Sequence, residues 1–284
     1  MPVPRLFEAA SETAEQWAHV VGSLLAVGGP RTASALLHEI VGEDLPGSDQ
    51  PYVRERRRLG DGPEVDVLVR DRDRRWAVAI VAGLAFDALD AGALTAVAEA
   101  LADQGERTIT VALTPDRRPS DAVAEAAAGG HDVRQRSWLR VRDWVQERPE
   151  RGRAEGAEML VLREAEYFLT PRVAELYRLE GPMKLVPAGV RAALAEAFFD
   201  LNELAPAPRI DRDRRIAFPR SGDPKVEIVL EDGLSLRIAA DQPGPGFTDA
   251  GEGWASLAVA DPSDYLAARS WVRAAARDLL PARL

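Results

Sequence analysis

The chain of 284 residues has no cysteine, three scattered histidines and no apolar run approaching the roughly 18 residues of a membrane helix. The missing thiols exclude disulfides, thiolate zinc sites and cysteine nucleophiles, and the histidines His19, His38 and His131 lie too far apart in sequence for a histidine-rich metal site. Any metal would have to rest on carboxylates. The first residues, MPVPRLFEAASETAEQW, have neither the basic start nor the apolar stretch of a secretion signal, so the expected location is the cytoplasm, with no membrane partner. Basic residues are also in deficit: 36 Lys and Arg against 46 Asp and Glu give a net charge of −10. An acid excess opposes nonspecific attraction to nucleic acid, which depends on neutralising phosphates. It leaves room for a local patch, and Arg54, Arg56, Arg57 and Arg58 form the densest basic run, followed by Arg70, Arg72, Arg74 and Arg75.

What is present is a globular composition, 46% hydrophobic and 29% charged. Trp17, Val20, Val21, Leu24 and Leu25 recur at helical spacing and predict a helix over 11–27, with a second over 32–41. Strands are expected at 52–59, 64–69, 76–82, 108–113 and 133–136, and helices at 91–103, 120–128 and 137–146. Residues 149–157 carry Pro, Gly and charge, the composition of a linker. The expected organisation is therefore a core over 1–148, the linker, and an α+β domain over 158–284. In the last, helices are expected at 158–178, 188–204 and 262–280, and strands at 226–230, 234–239 and 254–260. The Asp-Gly between the first two of those strands is a hairpin signal. Gly244, Pro245 and Gly246 read as a turn, lacking the lysine of a phosphate loop.

The span 63–114 resembles the PD-(D/E)XK nucleases, in which one strand ends in an acid and the next carries acid-x-lysine. In PEVDVLV, Asp66 stands at or near the first acid; in WAVAIV, Ala79 stands at the second acid and Val81 at the lysine. The segment Leu89 to Val97 occupies the place of the family's Leu-Thr-x-x-Gln-Leu-x-x-Tyr helix, with Ala93 and Val97 where Gln and Tyr belong. Leu113, Thr114 and Pro115, and later Ser137 and Trp138, are similar to family patterns at those places, and Glu15, with Glu12 second, matches the glutamate of the N-terminal helix. The resemblance covers roughly residues 10–148. It implies an α/β, restriction-endonuclease-like mixed sheet flanked by helices, with a smaller α+β unit after it.

It also implies a site with parts removed. Mg²⁺ needs several oxygen ligands, and Asp66 with Glu15 supplies few. Val81 removes the cation that would steady a charged phosphate. Residues 76–84 hold no charge, so neither function moves along that strand. Apolar replacements would stabilise a buried strand once metal is lost, although Ala79 and Val81 equally suit a core that never held one. The expectation is a pseudo-nuclease without cofactor that binds protein or nucleic acid. The alternatives are a Mg²⁺-dependent nuclease with relocated ligands and a purely structural or interaction subunit.

Overall fold

The computed structural model describes residues 14–87, 89–147, 156–204, 208–211, 214–218, 225–231, 233–239, 244 and 246–277. Residues 149–155 of the expected linker, the start of the first expected helix with Glu12, and the end of the last one lie outside them. The chain forms two compact units, Met1–Tyr177 and Arg178–Leu284.

In the first unit, α1 (Ala14–Val27) and α2 (Gly29–Val41) precede a meander of β1 (Tyr52–Arg58), β2 (Glu64–Arg70) and β3 (Trp76–Ala82). There follow α3 (Ala91–Leu101), β4 (Arg107–Thr114), α4 (Asp121–Ala128), β5 (Val133–Ser137), α5 (Trp138–Glu147) and α6 (Gly156–Arg178). The sheet has the order β1-β2-β3-β4-β5. The first three strands pair antiparallel, and β3, β4 and β5 run parallel. Such a mixed sheet follows from the chain itself: the polar turn at 71–75 is too short to do anything but reverse the chain, whereas α3 and α4 each fill a crossover between parallel strands.

β3 shows why the sheet is covered on both faces. Alternate residues of a strand point to opposite sides. Ala77 and Ala79 pack with Leu68, Val97 and Leu101 beneath α3, while Val78 and Ile80, on the other parity, are equally buried. A second layer is therefore required, and α1 contacts β1, β2 and β3 while α2 contacts β4. The buried apolar side of α1, from Trp17 to Leu25, is the stripe legible in the sequence. α3 is capped by Asp90, whose carboxylate accepts from the N–H groups of Gly92 (3.3 Å) and Ala93 (2.9 Å). Ser120 caps α4 through the Val123 N–H.

The second unit contains α7 (Glu180–Met183), α8 (Arg191–Leu204), strands β6 (Arg209–Asp211), β7 (Arg215–Phe218), β8 (Val226–Val229), β9 (Leu234–Ala239), β10 (Thr248–Gly251) and β11 (Trp254–Val259), and α9 (Pro262–Arg277). All six strands are antiparallel, in the order β10-β11-β9-β8-β7-β6. The sequence suggests only β8, β9 and β11 among them. α8 and α9 pack together, and between them Asp200, with no exposed surface, accepts from Tyr265, Arg269 and Arg273. The chain is thus an α/β protein with a mixed five-stranded sheet followed by an antiparallel six-stranded one. Among the described residues no helix is long and apolar enough to cross a membrane.

Candidate functional site

Strand register brings most of the residues singled out above to one end of the first sheet. Arg58 pairs with Glu64, Val67 with Ile80, Ala82 with Leu113, and Thr114 with Ser137. The ends of β1, β3, β4 and β5 therefore meet the start of β2. In sheets with parallel strands, the region beyond the carboxyl ends is where ligands are most often held.

Asp66 sits there, half-buried on β2. The antiparallel pairing of β2 with β3 stops at Val67 and Ile80, and beyond it the Asp66 carboxylate accepts the Ala82 N–H at 2.7 Å. A side chain thus takes over from the ladder. Burial pushes the Asp66 carboxyl above the usual range, the Ala82 N–H opposes this, and the charges of Glu15 and Glu64 add to the rise. Glu15, in the first turn of α1, lies 3.5 Å from Arg56, which also lies 3.5 Å from Glu64. Glu15, Glu64, Arg56 and Asp66 consequently form one polar group where α1 meets the β1–β2 pair.

Arg56 itself adopts φ 47°, a left-handed conformation that a non-glycine residue rarely holds within a strand. It interrupts the ladder between the pairs Glu55–Val67 and Arg57–Val65, so the arginine is turned toward its two carboxylates. Asp87, just past β3, is a second left-handed non-glycine residue at this end of the sheet, at φ 50°. Its N–H points at both oxygens of Asp116, each at 3.2 Å. Asp116 is a second half-buried acid, raised chiefly by burial and then by the Asp87 charge. Tyr177 donates to the Pro115 carbonyl at 2.6 Å, and the Arg117 guanidinium lies 5.0 Å above its ring. Asp116 lay open in the sequence as the end of Thr-Pro-Asp, but nothing local marks it as half-buried.

The positions that resemble a nuclease core are accounted for differently. Ala79 is fully buried in the apolar cluster under α3, and Val81 packs against the same cluster. Val97 is buried there too, while Ala93 is exposed. Trp138, fully buried, donates its indole N–H to the Gly83 carbonyl at 2.8 Å and meets Trp17 edge-on at 5.1 Å, so it locks α5 and α1 to the end of β3. Among the described residues, no group of three histidine or acidic side chains is placed to hold a metal ion.

No family model, curated protein or solved structure matches the chain. The site must be read from its own chemistry.

The four arginines of the basic run lie on β1, an edge strand, and all four are exposed. They are not equivalent. Arg56 is engaged by Glu15 and Glu64, whereas among the described residues Arg54, Arg57 and Arg58 have no carboxylate partner. Register adds a residue that the run does not contain: Arg70 pairs with Tyr52, and its guanidinium lies 4.6 Å above the Tyr52 ring. Arg54 lies 4.9 Å above the same ring and donates to the Tyr52 hydroxyl. The Arg54 guanidinium holds that hydroxyl below the usual phenol range, and Arg70 and Arg57 contribute to the effect. The histidines offer less. His19 and His38 are exposed, yet each has a carboxylate partner that sequence spacing does not reveal, Glu55 at 2.6 Å and Asp44 at 2.9 Å.

Proposed function

We propose that this protein is a non-catalytic relative of the PD-(D/E)XK nucleases, with a restriction-endonuclease-like first unit, that binds nucleic acid along β1. The observation that carries this reading is the set of arginines with no carboxylate partner among the described residues, Arg54, Arg57 and Arg58 along β1 and Arg70 beside Tyr52, in a protein of net charge −10. Tyr52 to Arg58 spans about 20 Å of extended chain, room for several phosphates of one strand. A tyrosine flanked by guanidinium groups suits a stacked base beside a phosphate backbone.

The reading of the site as non-catalytic rests on Ala79 and Val81, which belong to the packing beneath α3. A competing reading, Mg²⁺-dependent cleavage with relocated ligands, draws on Glu15 and Glu64, whose charges act on Asp66. Against it, Arg56 already draws on both glutamates.

Fluorescence anisotropy with labelled single- and double-stranded DNA and RNA, over a range of salt, tests the proposal. Binding should weaken steeply with salt, and replacing Arg54, Arg57 and Arg58 together by Gln should lower the slope of log K against log salt by about 2 to 3. Absence of salt-sensitive binding at low ionic strength, or binding indifferent to the triple change, would overturn it and favour a purely protein-directed role. Cleavage of the same strands in Mg²⁺, lost in Asp66→Ala, would establish the nuclease instead.

A further inference from the structure

The arginines of β1 do not all face the same way. In a paired strand, residues directly opposite one another share a face. Arg54 stands opposite Leu68, which packs beneath α3, and Tyr52 stands opposite Arg70. Glu55 stands opposite Val67 and turns to the other side, where it meets His19 of α1 at 2.6 Å. Arg57 stands opposite Val65, and Val65 belongs with Leu68 to the cluster beneath α3.

Residues three apart in an unbroken strand point to opposite faces, which would put Arg54 and Arg57 on different sides of the sheet. The left-handed Arg56 between them, at φ 47°, reverses the alternation and brings Arg57 round to the side of Arg54. Arg58 then falls on the α1 side, opposite Glu64 and with Arg56, which reaches Glu15. The α3 side thus gathers Tyr52, Arg54, Arg57 and Arg70, and the α1 side Glu15, Glu55 and Glu64. The basic strip is narrow. Arg54 and Arg57 lie about 10 Å apart along β1, and Arg70 is one strand, about 5 Å, across. Beyond it α3, whose Ala100 packs on the same cluster, carries the exposed Glu99, with the exposed Asp103 following.

Resting on the nucleic-acid reading of β1, we infer that the partner is a single strand, DNA or RNA, whose backbone runs along the α3 side of β1. Arg54, Arg57 and Arg70 meet its phosphates, and the Tyr52 ring steadies two of them, with the Arg54 and Arg70 guanidinium groups 4.9 and 4.6 Å from its centroid. Arg58, on the other face, makes no contact. A second backbone, as in a duplex, would have to lie over the acids on one flank or the other, where phosphates are repelled.

Fluorescence anisotropy at low salt, with labelled single-stranded DNA and RNA oligonucleotides and with their duplexes, tests this. The single strands should bind about tenfold tighter than the duplexes, or better. Arg54→Gln, Arg57→Gln and Arg70→Gln should each weaken single-strand binding by about fivefold or more, and Arg58→Gln, which removes the same charge as Arg57→Gln, by less than about twofold. None of the four side chains belongs to the core, and circular dichroism checks that each variant is folded. A preference for RNA or for DNA identifies the kind of strand, and either upholds the inference. Duplexes bound as tightly as single strands, or Arg58→Gln as damaging as Arg57→Gln, would overturn it while nucleic-acid binding by β1 stands. No binding of any of the probes would overturn both.

Discussion

Replacing Asp200 by alanine strips four hydrogen bonds from the contact between α8 and α9. The carboxylate accepts from the Tyr265 hydroxyl at 2.5 Å, from Arg269 at 2.6 and 2.9 Å, and from Arg273 at 2.5 Å. Both arginine side chains are only 18% exposed, and Asp200 has no exposed surface. Each such charged bond contributes about 1.5–3 kcal/mol net, but the four share one carboxylate and do not add. The larger effect is what stays behind, as the Arg269 guanidinium and the Tyr265 phenol lose the acceptor that they share and Arg273 loses one of its contacts. Breaking a buried pair in this way costs about 3–5 kcal/mol. Urea titration followed by the fluorescence of Trp254 and Trp271, with far-ultraviolet circular dichroism beside it, reads the loss directly. Asp200→Asn should fall between wild type and alanine, because the amide keeps one acceptor. Changing Asp200 to Leu together with Arg269 and Arg273 to Met should recover most of the loss, since an apolar cluster needs no partners. A loss below about 1 kcal/mol for Asp200→Ala would refute the reasoning and mean that water or a rearranged neighbour satisfies the arginines.

Three further outcomes are expected. Asp66→Asn should raise stability at neutral pH: burial holds the folded carboxyl above its unfolded value, so its ionisation works against folding, and the cost appears as pH rises from about 3.9 through the folded value. The gain in urea midpoint should vanish at lower pH, and a variant less stable at neutral pH contradicts this account. Ala79→Glu should destabilise the chain by about 4 kcal/mol or more, as a carboxylate enters the cluster under α3, and should bring no Mg²⁺-dependent cleavage; a loss under about 1 kcal/mol would mean that the position opens to solvent. Asp90→Ala should cost about 1 kcal/mol by thermal melting, because two N–H groups at the start of α3 lose their acceptor.

The first unit was readable from sequence because its elements carry strong periodicity. α1 has an apolar stripe, β3 is apolar throughout, and the polar turn between β2 and β3 leaves no other connection. β6, β7 and β10 were not readable. They have three or four residues each, and β10, Thr-Asp-Ala-Gly, is a strand only because β11 pairs with it. The candidate sites divide in the same way. Asp66 and the run Arg54 to Arg58 are local signals. Arg70 joins Tyr52 through register across 18 positions, and Asp116 meets the Asp87 N–H only through tertiary packing. Sequence spacing has no access to either. It also cannot distinguish Arg56 from its neighbours, since that depends on a backbone reversal of sign in φ.

The position of β1 at the margin of the sheet has a consequence for how the chain survives in a crowded solution. An uncovered strand exposes unpaired N–H and C=O groups that another copy can adopt, and evolution commonly blunts such margins with charge or irregularity. β1 has both, five consecutive exposed residues and a break at Arg56. Like-charged strands repel before their backbones meet, and the twist at the break spoils a continuous template. The arginines therefore guard the protein against its own kind, and variants that replace them with β-branched apolar residues should aggregate even while the fold beneath them stays intact.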